Sequence, residues 1–408
     1  MKISTLKRYA ELIAKKGVNI KRGQHAVIYA ELDQPVFVEY LTEACYRAGA
    51  ATVRVEWNHQ ALSAYHVKYR TMEDLSKVEN WEIEKLKLRC EQLPARIHLL
   101  SEDPDGLSGM DTAKYAAARQ KQYPIIKPYR DQLENREQWC IAAVPGKAWA
   151  KKVFPGVRES RAVEMLWEAI LHAARADGPD PVSAWETHNR ILKEKCDYLN
   201  RLGIETLHYT ASNGTDFTVG LIENALFLGG EEATLSGRYF NPNIPSEEVF
   251  TSPKRGAAEG VVYASKPYSY QGCLIEGIKL VFSEGRVTAC SARTNEDLLR
   301  KMISMDEGAS YLGECALVPY HSPISESGLL FYNTLFDENA ACHIALGTGF
   351  VNCIRDYDRY SLEDCRKMGI NDSMIHEDLM IGTPDLHITA HTRDGRDVPV
   401  FRDGDWAF

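Results

Sequence analysis

The chain has 408 residues, 44% hydrophobic and 26% charged, and a formal net charge of -9 at pH 7. That length and mix predict more than one globular domain, each able to bury a sizeable core. The acidic balance, with no basic tract to neutralise phosphates, excludes a nucleic-acid binder, and no apolar run reaches the length of a membrane span.

The opening MKISTLKRYAELIAKKG predicts an amphipathic helix with Leu6, Tyr9, Leu12 and Ile13 on one face, without the continuous apolar stretch of a secretory leader. HAVIYAEL (25–32) predicts a buried strand, followed by the helical QPVFVEYLTEACYRAGA and a second strand, ATVRVEW (51–57). ARIHLLS (95–101) and WCIAAVP (139–145) repeat the theme, and AVEMLWEAILHAARA (162–176) predicts another amphipathic helix. Such alternation predicts βαβ units on a largely parallel sheet. No G-x-G-x-x-G follows any of these strands, so a nucleotide-binding role has no motif behind it. His25, His98 and His172 stand singly in this half and read as packing or surface residues. The ten cysteines are scattered, none in C-x-x-C spacing, which suits reduced thiols in a cytoplasmic protein.

DGPDP (177–181) is the best linker signal and divides residues 1–181 from residues 182–408. After a helix over 183–201 the character changes. Short β-like runs dominate: ETLHYTA, DFTVGL, GVVYASKPY, GCLIEGIKLVFSEGRVTAC, ALVPY and GLLFYNTLF. Helical signals are confined mainly to 295–311 and the stretch after Asp337. The expected architecture is therefore an α/β N-terminal domain with a mostly parallel sheet, then a β-rich α+β C-terminal domain.

Four polar clusters in the second domain carry candidate chemistry. In NPNIPSEEVFTSP (241–253) three prolines fix an extended path, so Glu247 and Glu248 point to opposite faces and only one of them can face a given site. In LGECALVPYHSP (312–323) Glu314 stands among apolar residues at the start of a strand, where a carboxylate is costly unless paired. In FDENAACHIALGTGF (336–350) Asp337 reads as a helix cap and the alanines as its continuation, placing His343 on the first or second turn. The following Gly-Thr-Gly lacks the third glycine of a dinucleotide loop.

SMIHEDLMIG (373–382) begins like a zinc-protease helix, H-E-x-x-H, but Met380 occupies the second histidine position. On a strand His376 and Asp378 share one face while Glu377 turns away; on a helix the two would diverge by about two hundred degrees. The metal reading therefore requires a strand. Together the clusters offer carboxylates and imidazoles without a thiolate, the donor set of a zinc- or cobalt-type site with room for two ions.

In this order, NPNIPSEEVFTSP, LGECALVP, LFDENAACHIALG and HEDLMIG, with GTDFTVGL (214–221) and ASKP (264–267), resemble the aminopeptidase T / aminopeptidase S family of metallopeptidases. The resemblance implies a cytoplasmic exopeptidase that acts on peptides with a free N-terminus. It also implies an α/β N-terminal domain, a dinuclear metal centre and a homodimer enclosing the active site. Carried across residue by residue, the metal ligands fall on Glu248, Glu314, His343, His376 and Asp378, with Glu314 also placed to move a proton. The implied cofactor is two divalent ions per chain, zinc first, with cobalt, magnesium or manganese as alternatives.

One position departs from the family. A tyrosine seven residues after the motif histidine is replaced by Phe350, whose ring cannot donate a hydrogen bond to an oxyanion. Thr348 and Tyr332 are candidate replacements for that donor. Two rival readings stay open at this stage: a metal-dependent hydrolase of another amide, and a non-catalytic metal- or peptide-binding relative.

Overall fold

Apolar runs with little polar alternation suit strands buried on both faces, and HAVIYAE and WCIAA in the first half form such strands, whereas TVRVEWN alternates and is largely exposed. The computed structural model describes residues 1–408, which divide into two units: Met1–Asn189 with Glu231–Ser246, and Arg190–Gly230 with Glu247–Phe408.

In the first unit four parallel strands, β1 (His25–Glu31), β2 (Thr52–Asn58), β3 (Ala95–Leu100) and β4 (Trp139–Ala143), lie in the order β2-β1-β3-β4. The helix Pro35–Ala48 crosses from β1 to β2, opening with proline in its first turn and closing at Gly49 with φ 113°. A two-residue strand, Asn243–Ile244, adds to β4 in parallel, which ties residues 231–246 to this unit. The opening helix, Ile3–Leu12, buries Tyr9 and Leu12, and the helical turn that follows buries Ile13. The three isolated histidines sit as expected. His98 stacks on Tyr29 at 4.6 Å, His25 contacts the Thr52 hydroxyl at 2.7 Å, and His172 contacts Asp177 at 2.9 Å.

The second unit holds two antiparallel sheets. The larger has eight strands, with Ile204–Thr210 and Asp216–Leu221 at its centre. The smaller has four, in the order Val249–Thr251, Leu312–Leu317, His343–Gly347, His376–Met380. One face of this small sheet supplies Cys315, Leu317, Ile344, Leu346 and Leu379 to the main core of the unit. Side chains alternate along a strand, so the opposite face carries Glu314, His343, His376 and Asp378. The register makes them neighbours: Glu314 pairs with Ala345, Ala345 with Asp378, Ala316 with His343 and Gly347 with His376.

The HEDLM segment is thus the strand that metal binding requires. Two helical expectations need correction. The helix after Asp337 is a single turn (Thr334–Asp337) followed by a 3₁₀ turn (Glu338–Ala340), and His343 opens a strand instead of riding a helix. The Asp337 carboxylate accepts the N–H groups of Phe331 and Asn333 behind it, so it does not cap a helix ahead. Beyond it, Ile344 and Leu346 alternate with His343 and Ala345, a two-residue period that fits between two strands. The helical stretch over 295–311 is shorter too, Glu296–Ile303, with a separate 3₁₀ turn at Gly308–Ser310.

Gly347 lets the two histidine-bearing strands meet. It has φ 113°, and a Cβ there would lie 2.0 Å from the Ile375 carbonyl oxygen. Gly347→Ala should therefore lower stability by at least about 2 kcal/mol, read from the urea midpoint. An unchanged midpoint would mean that the strands part without cost.

Candidate metal centre

Five side chains that the sequence singled out come together on the small sheet. Glu248, Glu314 and His343 form one group whose ligand atoms all lie within 4.8 Å of one another; Glu314, His376 and Asp378 form a second. Glu314 belongs to both. Glu247 belongs to neither, and its backbone N–H donates to Asn339 Oδ1 at 2.6 Å. Glu248, Glu314, His343 and Asp378 are each at most 7% exposed, whereas the His376 side chain is 23% exposed.

The backbone orients both imidazoles. His343 Nδ1–H donates to the Ala341 carbonyl at 3.2 Å, and His376 Nδ1–H to the Thr348 carbonyl at 2.8 Å. Each Nε2 is thereby turned toward carboxylates. His343 Nε2 lies 3.3 Å from Glu248 and 4.0 Å from Asp378, and His376 Nε2 lies 3.0 Å from Glu314 and 3.4 Å from Asp378. A second ring nitrogen anchored to a carbonyl is the arrangement that fixes the tautomer of a metal-binding histidine.

A further carboxylate, Glu338, is 8% exposed and its side chain hydrogen-bonds Asp378. In sequence its segment looks helical, and Glu338 stands between Asp337 and Asn339, five positions before His343, as one of three adjacent polar residues. Burial, reinforced by Asp378, Glu248 and Glu314, holds the Glu338 pKa well above the usual carboxylate range. Burial also raises Glu314, against its hydrogen bond from His376. Asp378 moves the other way: burial pushes it up, but His376 and His343 outweigh that and lower it.

Burial alone would strip the proton from His343, yet the hydrogen bond to Glu248 and the charges of Asp378, Glu248 and Glu314 push its pKa up to about 9. His376 is raised well above its ordinary value despite burial, by Asp378 first and then Glu314. Without metal, then, two imidazolium groups act as the counter-ions of this acidic cluster. Their compensation is incomplete, because Asp378 Oδ1 is buried without a hydrogen-bond partner. Oxygen and imidazole donors around an orphaned carboxylate oxygen fit divalent ions.

Phe350 stands at the edge of this cluster. Its ring is 4.9 Å from the His376 ring and 5.5 Å from that of Phe250. Thr348 contributes the carbonyl that orients His376, and Tyr332 lies in the loop before Asp337 with φ 54°.

A family model described as thermophilic metalloprotease (M29) matches residues 3–406. The chain belongs to this family. It is 40% identical over 402 residues to Aminopeptidase T of Thermus thermophilus, covering 98% of each protein. It is also 39% identical over 404 residues to Aminopeptidase AmpS of Bacillus subtilis, covering 99% of this chain and 98% of that protein. The solved structure of wild-type AmpT from Thermus thermophilus superposes with a TM-score of 0.89 at 38% identity, covering 99% of both chains. A dioxygenase from Pseudomonas putida shares the fold at a TM-score of 0.52 and 14% identity. Membership in this family makes the chain a metallopeptidase and implies a divalent metal, with the acidic and imidazole groups above as its candidate ligands.

The raised imidazoles give the metal-free protein a measurable signature. A metal ligand must be neutral imidazole, so loading the site near pH 7 should release about two protons, and affinity should strengthen as pH rises toward the His343 value of about 9. Calorimetric titration in buffers of different ionisation enthalpy checks this. Metal uptake without proton release would contradict the ion-paired metal-free state.

Proposed function

We propose that this metallo-aminopeptidase removes N-terminal residues from peptides at a dinuclear centre, with Glu248, Glu314 and His343 holding one ion and Glu314, His376 and Asp378 the other. The observation that carries this reading is the membership of Glu314 in both ligand groups. A shared carboxylate between two sets of hard and borderline donors favours zinc, with cobalt, manganese or magnesium as alternatives. When bound, such ions would supply Lewis acidity and would lower the pKa of a nearby water toward neutrality.

The protein's own groups divide the remaining work. Glu338, buried beside Asp378 and outside both ligand groups, is the carboxylate we assign to the substrate α-ammonium. Bringing that cation beside it offsets the burial and the repulsion that together hold the Glu338 pKa high. A Glu314 oxygen takes the proton of the attacking water and returns it to the departing amine. His343 and His376, fixed through Nδ1, hold their Nε2 atoms in place while this occurs. Phe350 offers the reaction no donor.

The compartment and assembly belong to the same proposal. All ten cysteines are free and seven of them are buried, in keeping with a reducing cytoplasm. No helix is long and apolar enough to cross a membrane. The family resemblance supports a homodimer, which light scattering of the purified protein tests directly.

Elemental analysis combined with an aminoacyl-chromophore assay, before and after chelation, tests the reading. About two divalent ions per chain are expected, with turnover lost on chelation and restored by adding metal back. Glu314→Ala should lose both ions, whereas Glu248→Ala should lose one. Full metal content and activity in Asp378→Ala would remove the proposal. Phe350→Tyr restores a donor beside His376 and should raise kcat by about tenfold or more with little change in KM. No gain would show that the site obtains its donor elsewhere.

A further inference from the structure

The strand that carries His376 and Asp378 is the last in its sheet, bonded to the His343–Gly347 strand on one side. Backbone groups alternate between the two sides of a strand. The Ile375 carbonyl accepts from Thr348 N–H at 2.7 Å, and Ile381 N–H donates to the Cys342 carbonyl at 2.8 Å, so odd-numbered residues here turn inward to the sheet. Even-numbered residues turn outward. The Met380 carbonyl confirms this by accepting the Ser265 N–H at 2.8 Å from the far side. Ahead of it, the outward N–H and C=O groups of Asp378 and His376 have no such partner, although Asp378 as a whole is only 6% exposed. Backbone groups left open in so buried a place call for an occupant.

We propose that this edge is the substrate track: an extended peptide pairs antiparallel to His376–Asp378, its N-terminal residue opposite Asp378 and its third residue opposite His376. The inference rests on the aminopeptidase reading and supplies its mode of recognition. The direction follows from the two ends of the track. The His376 end is the more open one, while the Asp378 end is buried, lies beside Glu338 and is closed at Met380 by Ser265. A free N-terminus can reach the carboxylates there, but a chain continuing past Met380 would meet Ser265. The same stop that closes the edge thus limits cleavage to the first residue.

The pairing also orients the scissile bond. Opposite Asp378, the carbonyl of the first residue accepts the Asp378 N–H in the plane of the sheet. The His376 and Asp378 side chains rise from one face of that plane, so attack comes perpendicular to the carbonyl, as addition requires. The Asp378 N–H is then one donor to the developing oxyanion, to which a hydroxyl at position 350 would add a second. One strand provides two ligands with its side chains and a cradle with its backbone, the mode by which sheet edges capture extended peptides.

The test uses the unmodified, metal-loaded protein and one pentapeptide in three forms: unmethylated, N-methylated at the third residue, and N-methylated at the fourth. In antiparallel pairing the third residue's N–H faces the His376 carbonyl and the fourth points away. Methylation at the third should lower kcat/KM by at least about fivefold to tenfold, the worth of one such bond, while the fourth stays within about twofold. Equal losses at the two positions, or a larger loss at the fourth, would overturn the proposal and leave the aminopeptidase reading intact. No release of the first residue from the unmethylated peptide would overturn both.

Discussion

Four carboxylates buried within reach of one another set the terms for the second unit. Burying Glu248, Glu314, Glu338 and Asp378 together is costly without positive charge beside them, and burial with mutual repulsion raises Glu338 well above the usual carboxylate range. His343 and His376 provide that charge in the metal-free protein, and divalent ions are the natural replacement. Much of the surrounding architecture serves to keep the acidic groups from separating or becoming hydrated.

The means is a small antiparallel sheet with two unlike faces. Cys315, Ile344, Leu346 and Leu379 anchor one face in a large apolar core, so the strands cannot twist away to relieve repulsion on the other. Antiparallel register then converts sequence spacing into geometry. Residues two apart on one strand stand above the same neighbour as a residue on the next, which brings Glu314 and Asp378 to either side of Ala345. Small residues at 316, 345 and 347 leave the space that the charged groups fill.

Much of this was legible in the sequence, unevenly. The parallel sheet of the first unit was readable because short β-rich runs alternating with amphipathic helices have few other uses in a chain of this kind. The strand at HEDLM followed from the chemistry, since only a two-residue period puts His376 and Asp378 side by side. The choice between Glu247 and Glu248 needed the family resemblance, because alternation says that one faces inward without saying which. His343 was recognised as a candidate but placed on the wrong kind of element. Asp337 followed by alanines carries a real helical preference, and only the flanking strands override it. Glu338 was lost with the same misreading. Asn243–Ile244 lies beyond pattern reading altogether, since two residues hold no period.

The clamps on the two imidazoles are made by carbonyl oxygens, not by side chains. At positions 341 and 348 the candidate metal centre therefore senses only the path of the chain, and substitutions that preserve that path leave the two clamps in place. At Gly347, one residue before the second clamp, even a methyl group alters the path. Mutational tolerance around this site thus follows backbone geometry and not distance from the chemistry. Residues that never touch substrate can be less replaceable than neighbours whose own atoms hold a ligand in place.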